Sequence, residues 1–244
     1  MLVVSVLKQG KNYCDRHAKW LHNQLKAYDS ICLTDIDKIK SVQTTPLQYN
    51  FPGWWSKLEL FNPKHPILGN KEFLFLDIDT VIVNNIDHFI KTDRFTMLND
   101  FFQTTPNRKY VNSSVMKVTN DVKKYIWNTF MNNPKKYMKE CVTKEKWGDQ
   151  GFISSLFDDI QQWQDIFPDQ IYSYKNHIAL EGMPGFDKQL SKGIGNVPET
   201  AKIICFHGNP RPWKIQQNWI PRFSLYDRII SKYHKMTWKD RNQK

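Results

Sequence analysis

The chain has 244 residues and a formal net charge of +11, from 35 Lys and Arg against 24 Asp and Glu. That length can bury a sizeable core, and 9 Trp, 10 Tyr and 15 Phe exclude a disordered or low-complexity chain. No apolar run approaches the length of a membrane span, and four scattered cysteines without a Cys-x-x-Cys pair speak against a disulfide scaffold.

In chain order, residues 3–7 form an apolar run that predicts a first strand. Lys8, Gln9 and Lys11 follow at once, and no basic segment precedes it, so it does not read as a signal peptide. With reduced thiols, a cytoplasmic protein is expected (host cytoplasm if the chain is viral). After a polar loop at 8–13, Ala18, Leu21, Leu25 and Tyr28 share one helical stripe. Residues 30–34 predict a second strand ending at Asp35, a β-α-β start that implies a parallel α/β sheet. Residues 53–61 read as a short helix with an apolar inner face, in which Lys57 is either a snorkelling lysine or a phosphate contact.

Residues 73–76, Phe-Leu-Phe-Leu, have the composition of a buried central strand. Asp77 and Asp79 follow at its end. Residues i and i+2 of an extended chain point the same way, so both carboxylates share a side and Ile78 faces the core. Two hard oxygen ligands at the carboxyl edge of a buried strand suit Mg2+ or Mn2+. A bare Asp-x-Asp more often means that Asp79 starts a turn and Asp77 caps a neighbour, but the apolar runs 73–76 and 81–83 on both sides count against that here, since two acids ending a buried strand are costly unless something cationic sits there.

Further on, 84–89 turns into a helix, 95–98 and 110–116 are strands, and 121–130 is a helix with Val122, Tyr125, Ile126 and Phe130 on one stripe, stopped by Asn132-Asn133-Pro134. Asp149 stands where a loop runs into a helix, either an N-cap or a site residue. Asp158 and Asp159 end that helix in solvent. Residues 170–174 form an edge strand, 182–197 a glycine-rich mobile loop, and 202–206 a last buried strand that delivers 207–213 to the sheet edge. A final helix, 225–234, carries the basic tail. Its Trp219, Phe223, Ile229 and Ile230 could pack on the core. The 211–244 segment holds nine Lys and Arg against two acids, and 117–146 holds eight against three. This favours a polyanionic partner, although a solvated basic surface accounts for it as well.

Five features now stand in a familiar order: the β-α-β start, Trp-Ser-Lys57-Leu, Leu-Asp77-Ile-Asp79-Thr-Val-Ile-Val-Asn-Asn-Ile-Asp87, Gly-Asp149-Gln150-Gly, and His207-Gly-Asn-Pro-Arg211-Pro-Trp213. Over residues 1–215 the chain resembles the GT-A glycosyltransferases, most closely the glycogenin-like and lipopolysaccharide galactosyltransferase-like family. The resemblance implies a GT-A (Rossmann-like) catalytic domain at 1–215, with a mixed, mostly parallel sheet flanked by helices. Residues 216–244 would be a basic helical extension packed on it or extending from it. It implies a nucleotide-sugar donor (a UDP-sugar first), Mn2+ or Mg2+ on the diphosphate, and retention at the anomeric carbon. Asp77 and Asp79 would hold the metal. The loop with Lys8 and Tyr13 would bind the base, Tyr13 by stacking, and Asp35 the base or ribose. Lys57 and Arg211 would neutralise the diphosphate, with Trp213 beside them. Asn112 to Ser114, Asp149 and Gln150 would line the sugar pocket, with Asp149, Gln150 and Asp79 nearest the chemistry.

Two departures stand out. The family's closing motif is His-x-x-Gly-x-x-Lys-Pro-Trp, its histidine a third metal ligand. Aligned on Gly208 and Pro212-Trp213, that position is Cys205 and the lysine is Arg211; His207 lies two residues later on the same side of the strand, from where it would reach the ion as the third ligand beside Asp77 and Asp79. Ser114 stands where a glycine is usual. The acceptor is left open between an anionic glycan or lipopolysaccharide and hydroxymethylated pyrimidine in phage-type DNA, whose base would have to be flipped out. Two rivals come from other classes. One is a haloacid-dehalogenase-type phosphatase with Asp77 as nucleophile and Asp158-Asp159 as its later acids. The other is a nucleic-acid-binding protein without catalysis.

Overall fold

The computed structural model describes residues 2–101, 110–143 and 146–241, the last three as backbone alone. Strand β1 (Leu2–Leu7) leads through helix α1 (Asp15–Gln24) to β2 (Asp29–Thr34) and β3 (Thr44–Pro46). A 3-10 segment, Gly53–Phe61, precedes β4 (Phe73–Leu76) and β5 (Thr80–Ile82). Helix α2 (Asp87–Lys91), β6 (Thr96–Asn99) and β7 (Val111–Val118) follow, then α3 (Asn120–Asn132), α4 (Pro134–Glu140) and α5 (Gly148–Ser154). The remainder comprises β8 (Gln161–Gln162), α6 (Trp163–Ile166), β9 (Ile171–Ser173), β10 (Ile203–Cys205) and α7 (Leu225–Arg241).

The main sheet has the order β3-β2-β1-β4-β7-β6-β8. Pairings are parallel from β3 to β4 and between β6 and β8, and antiparallel on both edges of β7. This is the mixed, mostly parallel sheet expected. Its central strands are covered on both faces, which is why β4 reads as an unbroken apolar run. Along β4 the side chains alternate between two cores. Phe73 and Phe75 join Val4, Ile31 and Met116 on one face, and Leu74 and Leu76 join Val3, Leu7 and Val115 on the other.

A second, three-stranded sheet runs β5-β10-β9. The three residues Asp77-Ile78-Asp79 therefore form the corner where the chain leaves one sheet for the other. Ile78 continues the Leu74 and Leu76 face and is buried with them, as its position predicts.

The differences from expectation have local causes. Tyr125 is exposed, and Lys123 takes the buried place on α3. Its Nζ donates to the carbonyls of Leu68 (2.6 Å), Gly69 (3.3 Å) and Lys71, a ready-made acceptor set that a hydropathy pattern cannot register. Pro134 ends α3 but also opens α4 at its first turn, where the Asn133 side chain accepts from the Lys136 amide. The cap of α5 is Trp147, so Asp149 lies inside the helix and not at its N-cap. Helix α5 also stops at Ser154, short of the exposed Asp158 and Asp159.

The tail docks on α1. Asp227 pairs with Arg16 (3.3 Å) and Lys19 (3.7 Å), and the Trp20 indole donates to the Pro221 carbonyl at 2.6 Å. Phe223 is buried and Trp219 packs against the core, but Ile229, 58% exposed, does not. Helix α7 runs on past 234 and shows a row of exposed Leu225, Ile229, Tyr233 and Met236. Among the described residues no helix is long and apolar enough to cross a membrane.

Candidate active site

The carboxyl ends of β1 and β4 and the start of β7 open into a cleft of about 1240 Å³. This is the edge at which open α/β sheets bind ligands. Leu7, Lys8 and Tyr13 line it from the first strand and its loop. Asp77 and Asp79 line it from the corner, and Asn112, Ser113 and Ser114 from β7. The antiparallel pairing of β7 brings Ser114 beside the corner, and its carbonyl accepts from the Asp77 amide at 2.9 Å.

At one end, Lys57 Nζ lies 2.8 and 3.0 Å from the two Asp77 carboxylate oxygens, 3.2 Å from Ser113 Oγ and 3.8 Å from Asp149 Oδ2. Ser113 Oγ donates to Asp149 Oδ2 at 2.7 Å. Burial alone would lower the Lys57 pKa, but Asp149 and Asp77 outweigh it and hold the ammonium firmly charged. Burial raises the Asp149 pKa against the opposing pull of Lys57 and the Ser113 hydroxyl.

At the other end, Arg211 is paired with Asp79, and the Tyr13 hydroxyl donates to Asp79 Oδ2 at 3.2 Å. The guanidinium also lies over the Tyr13 ring, 4.8 Å from its centroid. Burial pushes the Asp79 pKa up to about 6; Arg211 opposes the rise and Asp77 adds to it. Two adjacent carboxylates thus sit in one cleft, each met by a cation.

The remaining expected residues divide. Gln150 and Arg211 line the cleft, and Lys8 does so while bound to Asp35 (3.1 Å) and Asn50 (2.7 Å). Asp35 does not line it; it also accepts from the Gln9 amide at 2.8 Å and shapes the loop from behind. Asn112 turns its Oδ1 to the Ser114 amide at 2.9 Å. Trp213 is not in the cleft wall: it stacks on Phe223, with ring centroids 5.7 Å apart, and lies against His17 and Trp20. His207 lines the cleft, with Nε2 2.7 Å from Ser173 Oγ and its ring edge-on to Phe101. Burial, Lys175 and Arg211 lower its pKa to about 3, so it is neutral. Cys205 is fully buried, and burial with the two nearby aspartates drives its thiol pKa far up. Among the described residues no three His, Cys, Asp or Glu side chains converge as a metal-holding group. Asp158 and Asp159, the acids the phosphatase reading requires, do not line the cleft.

The pattern of single residues missed two features. Ser113 joins Lys57 to Asp149, a role set by its strand position. The half-exposed Trp54 and Trp147 form part of the cleft wall, and only their spacing from Lys57 and Asp149 hinted at it.

The fold that carries this cleft is the GT-A glycosyltransferase fold. Its solved neighbours include an active-site mutant of LgtC (TM-score 0.57, 10% identity, 98% of this chain and 96% of that one). The galactosyltransferase LgtC in complex with donor and acceptor sugar analogs matches with a TM-score of 0.55 and 13% identity over the same shares. GlyE, a glycosyltransferase of Streptococcus pneumoniae TIGR4, gives 0.55 at 12% identity, over 98% of this chain and 62% of that one. No family model and no curated protein matches the sequence. At these identities the likeness is one of fold.

Proposed function

We propose that the protein is a glycosyltransferase that moves a sugar from a nucleotide-diphosphate sugar, a UDP-sugar first, to an acceptor hydroxyl with retention. The observation that carries this reading is the pair of cleft carboxylates, Asp77 and Asp79, each matched by a cation at the ligand-binding edge of a GT-A fold. A diphosphate leaving group needs its developing negative charge matched by preorganised positive groups. Lys57 and Arg211 are such groups, held in place by the carboxylates they contact.

The carboxylate pair also fits a hard divalent cation, Mn2+ or Mg2+. Asp77 and Asp79 supply oxygen donors close enough to repel one another, and neutral His207 is in the ligating form of its ring. When bound, the ion supplies Lewis-acid stabilisation of the diphosphate.

In the transfer, the bond from the anomeric carbon to the acceptor oxygen forms as the bond to the phosphate oxygen breaks. The electron pair leaves with the diphosphate, and the acceptor proton follows to the departing oxygen. Asp149, tied to Lys57 and Ser113, is not free to act as a base towards an acceptor. Its negative field and the Gln150 amide instead support positive charge on the sugar, which favours retention.

The test is nucleotide release from a panel of UDP-, GDP- and CMP-sugars, with and without Mn2+. Metal-dependent release from one donor, lost in Asp79→Asn, is the expected result. No release from any donor, with turnover of p-nitrophenyl phosphate, would replace this reading with a phosphatase.

A further inference from the structure

Two tryptophans stand half exposed in the cleft wall: Trp54 at 48% and Trp147 at 49%. Large aromatic side chains are usually mostly buried, so two solvent-facing indoles in one concave surface call for an explanation. They are not loose. Gly148 adopts φ +62°, and a Cβ placed on it would lie 2.8 Å from Nε1 and 3.1 Å from Cδ1 of Trp54. The Trp54 indole therefore rests directly on the Gly148 backbone. The Trp147 ring stands beside it, with centroids 5.9 Å apart and planes inclined at 41°. The position demands glycine twice, once for its backbone conformation and once for the indole seated on it.

The platform is fixed to the two segments that form the Lys57 end of the cleft. Trp54 lies three residues before Lys57 on the same 3-10 segment. Trp147 lies two residues before Asp149. A ring seated on the indoles is thereby delivered next to Gln150 and the Asp149–Ser113–Lys57 network. Gln150, in the same cleft wall, carries a side-chain amide of the kind that exchanges hydrogen bonds with hydroxyls.

From this geometry we infer that Trp54 and Trp147 form the acceptor subsite of the transferase proposed above, and that they take a pyranose ring of a glycan. An indole face covers the apolar C–H face of a sugar while polar groups around it meet the equatorial hydroxyls. With centroids 5.9 Å apart the two indoles lie against each other, so a ligand ring rests on their outer faces, and the 41° between those faces makes an angled seat that suits a puckered ring better than a flat base. The inference rests on the transferase reading for the word acceptor; the sugar-binding seat is tested without turnover.

The experiment is saturation-transfer NMR on the full chain with UDP and Mg2+, using methyl β-glucoside, methyl β-galactoside and lactose as probes. Saturation of ring C–H protons of at least one sugar is expected. It falls about tenfold in Trp54→Ala and in Trp147→Ala, and recovers in Trp147→Phe. Indole N–H resonances of the unmodified chain, followed by 15N NMR, shift on adding the same sugar, which covers the case of a variant that fails to fold. Three results overturn the inference: no saturation of any of the three sugars, saturation and indole shifts independent of both tryptophans, or binding of an oligothymidylate at these indoles in place of sugars. Donor hydrolysis by the unmodified chain is scored separately, so the seat and the transferase reading can fail independently.

Discussion

Lys57→Met is the most informative single change, because one ammonium serves two carboxylates and a hydroxyl. Its side chain is 13% exposed, that of Asp77 21% and that of Asp149 6%. Methionine keeps the volume and removes the charge, leaving the Asp149 carboxylate buried without the cation that faces it. Breaking a buried ion pair from one side costs about 3–5 kcal/mol, and the partial exposure of Asp77 places this case near about 3 kcal/mol. With a urea dependence of about 3 kcal/mol per molar for a chain of this size, the unfolding midpoint falls by about 1 M. The damage comes from the abandoned charge, so Asp149→Asn in the same background should restore part of it. The double variant is expected to be more stable than the sum of the two single losses by about 1–3 kcal/mol. Urea titrations followed by far-UV circular dichroism on the four proteins measure this. A midpoint for Lys57→Met within about 0.3 M of the parent, or strictly additive losses, would refute the reasoning.

Gly148→Ala should cost about 1–3 kcal/mol, since it meets both the left-handed backbone and the Trp54 indole, and a thermal melt reads the loss. His22 lies between Ser5 Oγ (2.8 Å) and Ser30 Oγ (3.0 Å), and burial lowers its pKa to about 4. A depressed histidine stabilises fully above its ordinary value near 6.5 and loses that contribution as the pH falls toward 4. Between pH 7 and pH 5 this amounts to about 2 kcal/mol, and His22→Gln should remove that part of the pH dependence of the urea midpoint.

The short-range features were legible because they depend on neighbours in sequence. The Phe73–Leu76 run declares a strand covered on both faces. The common cleft of Asp77 and Asp79 was read from a continued pleat, but the chain turns at Ile78 and Asp79, with the Thr80 amide donating to the Asp77 carbonyl at 3.1 Å. The order of Lys57, the carboxylate pair, Asp149-Gln150 and Arg211 pointed to the fold. Tyr125 was put on the buried stripe of α3, whereas Lys123 is the residue buried there, because its burial depends on the carbonyls of Leu68, Gly69 and Lys71, some fifty residues away. Trp213 was assigned to the cleft on its place in a motif, yet its ring is claimed by Phe223, His17 and Trp20 from the tail and α1. Ile229 had the spacing of a core residue, but α7 docks through Asp227 and leaves that face open.

The sequence by itself thus determined the central strand, the carboxylate pair at its end and the class of sheet around it, since backbone periodicity and local burial fix these within a few residues. Only the tertiary structure decided which cation meets which carboxylate, that Ser113 links Lys57 to Asp149, and that Trp54 lies on Gly148 in the cleft wall. Those contacts join segments 20 to 132 residues apart, and a distance between such segments exists only once both sheets have packed.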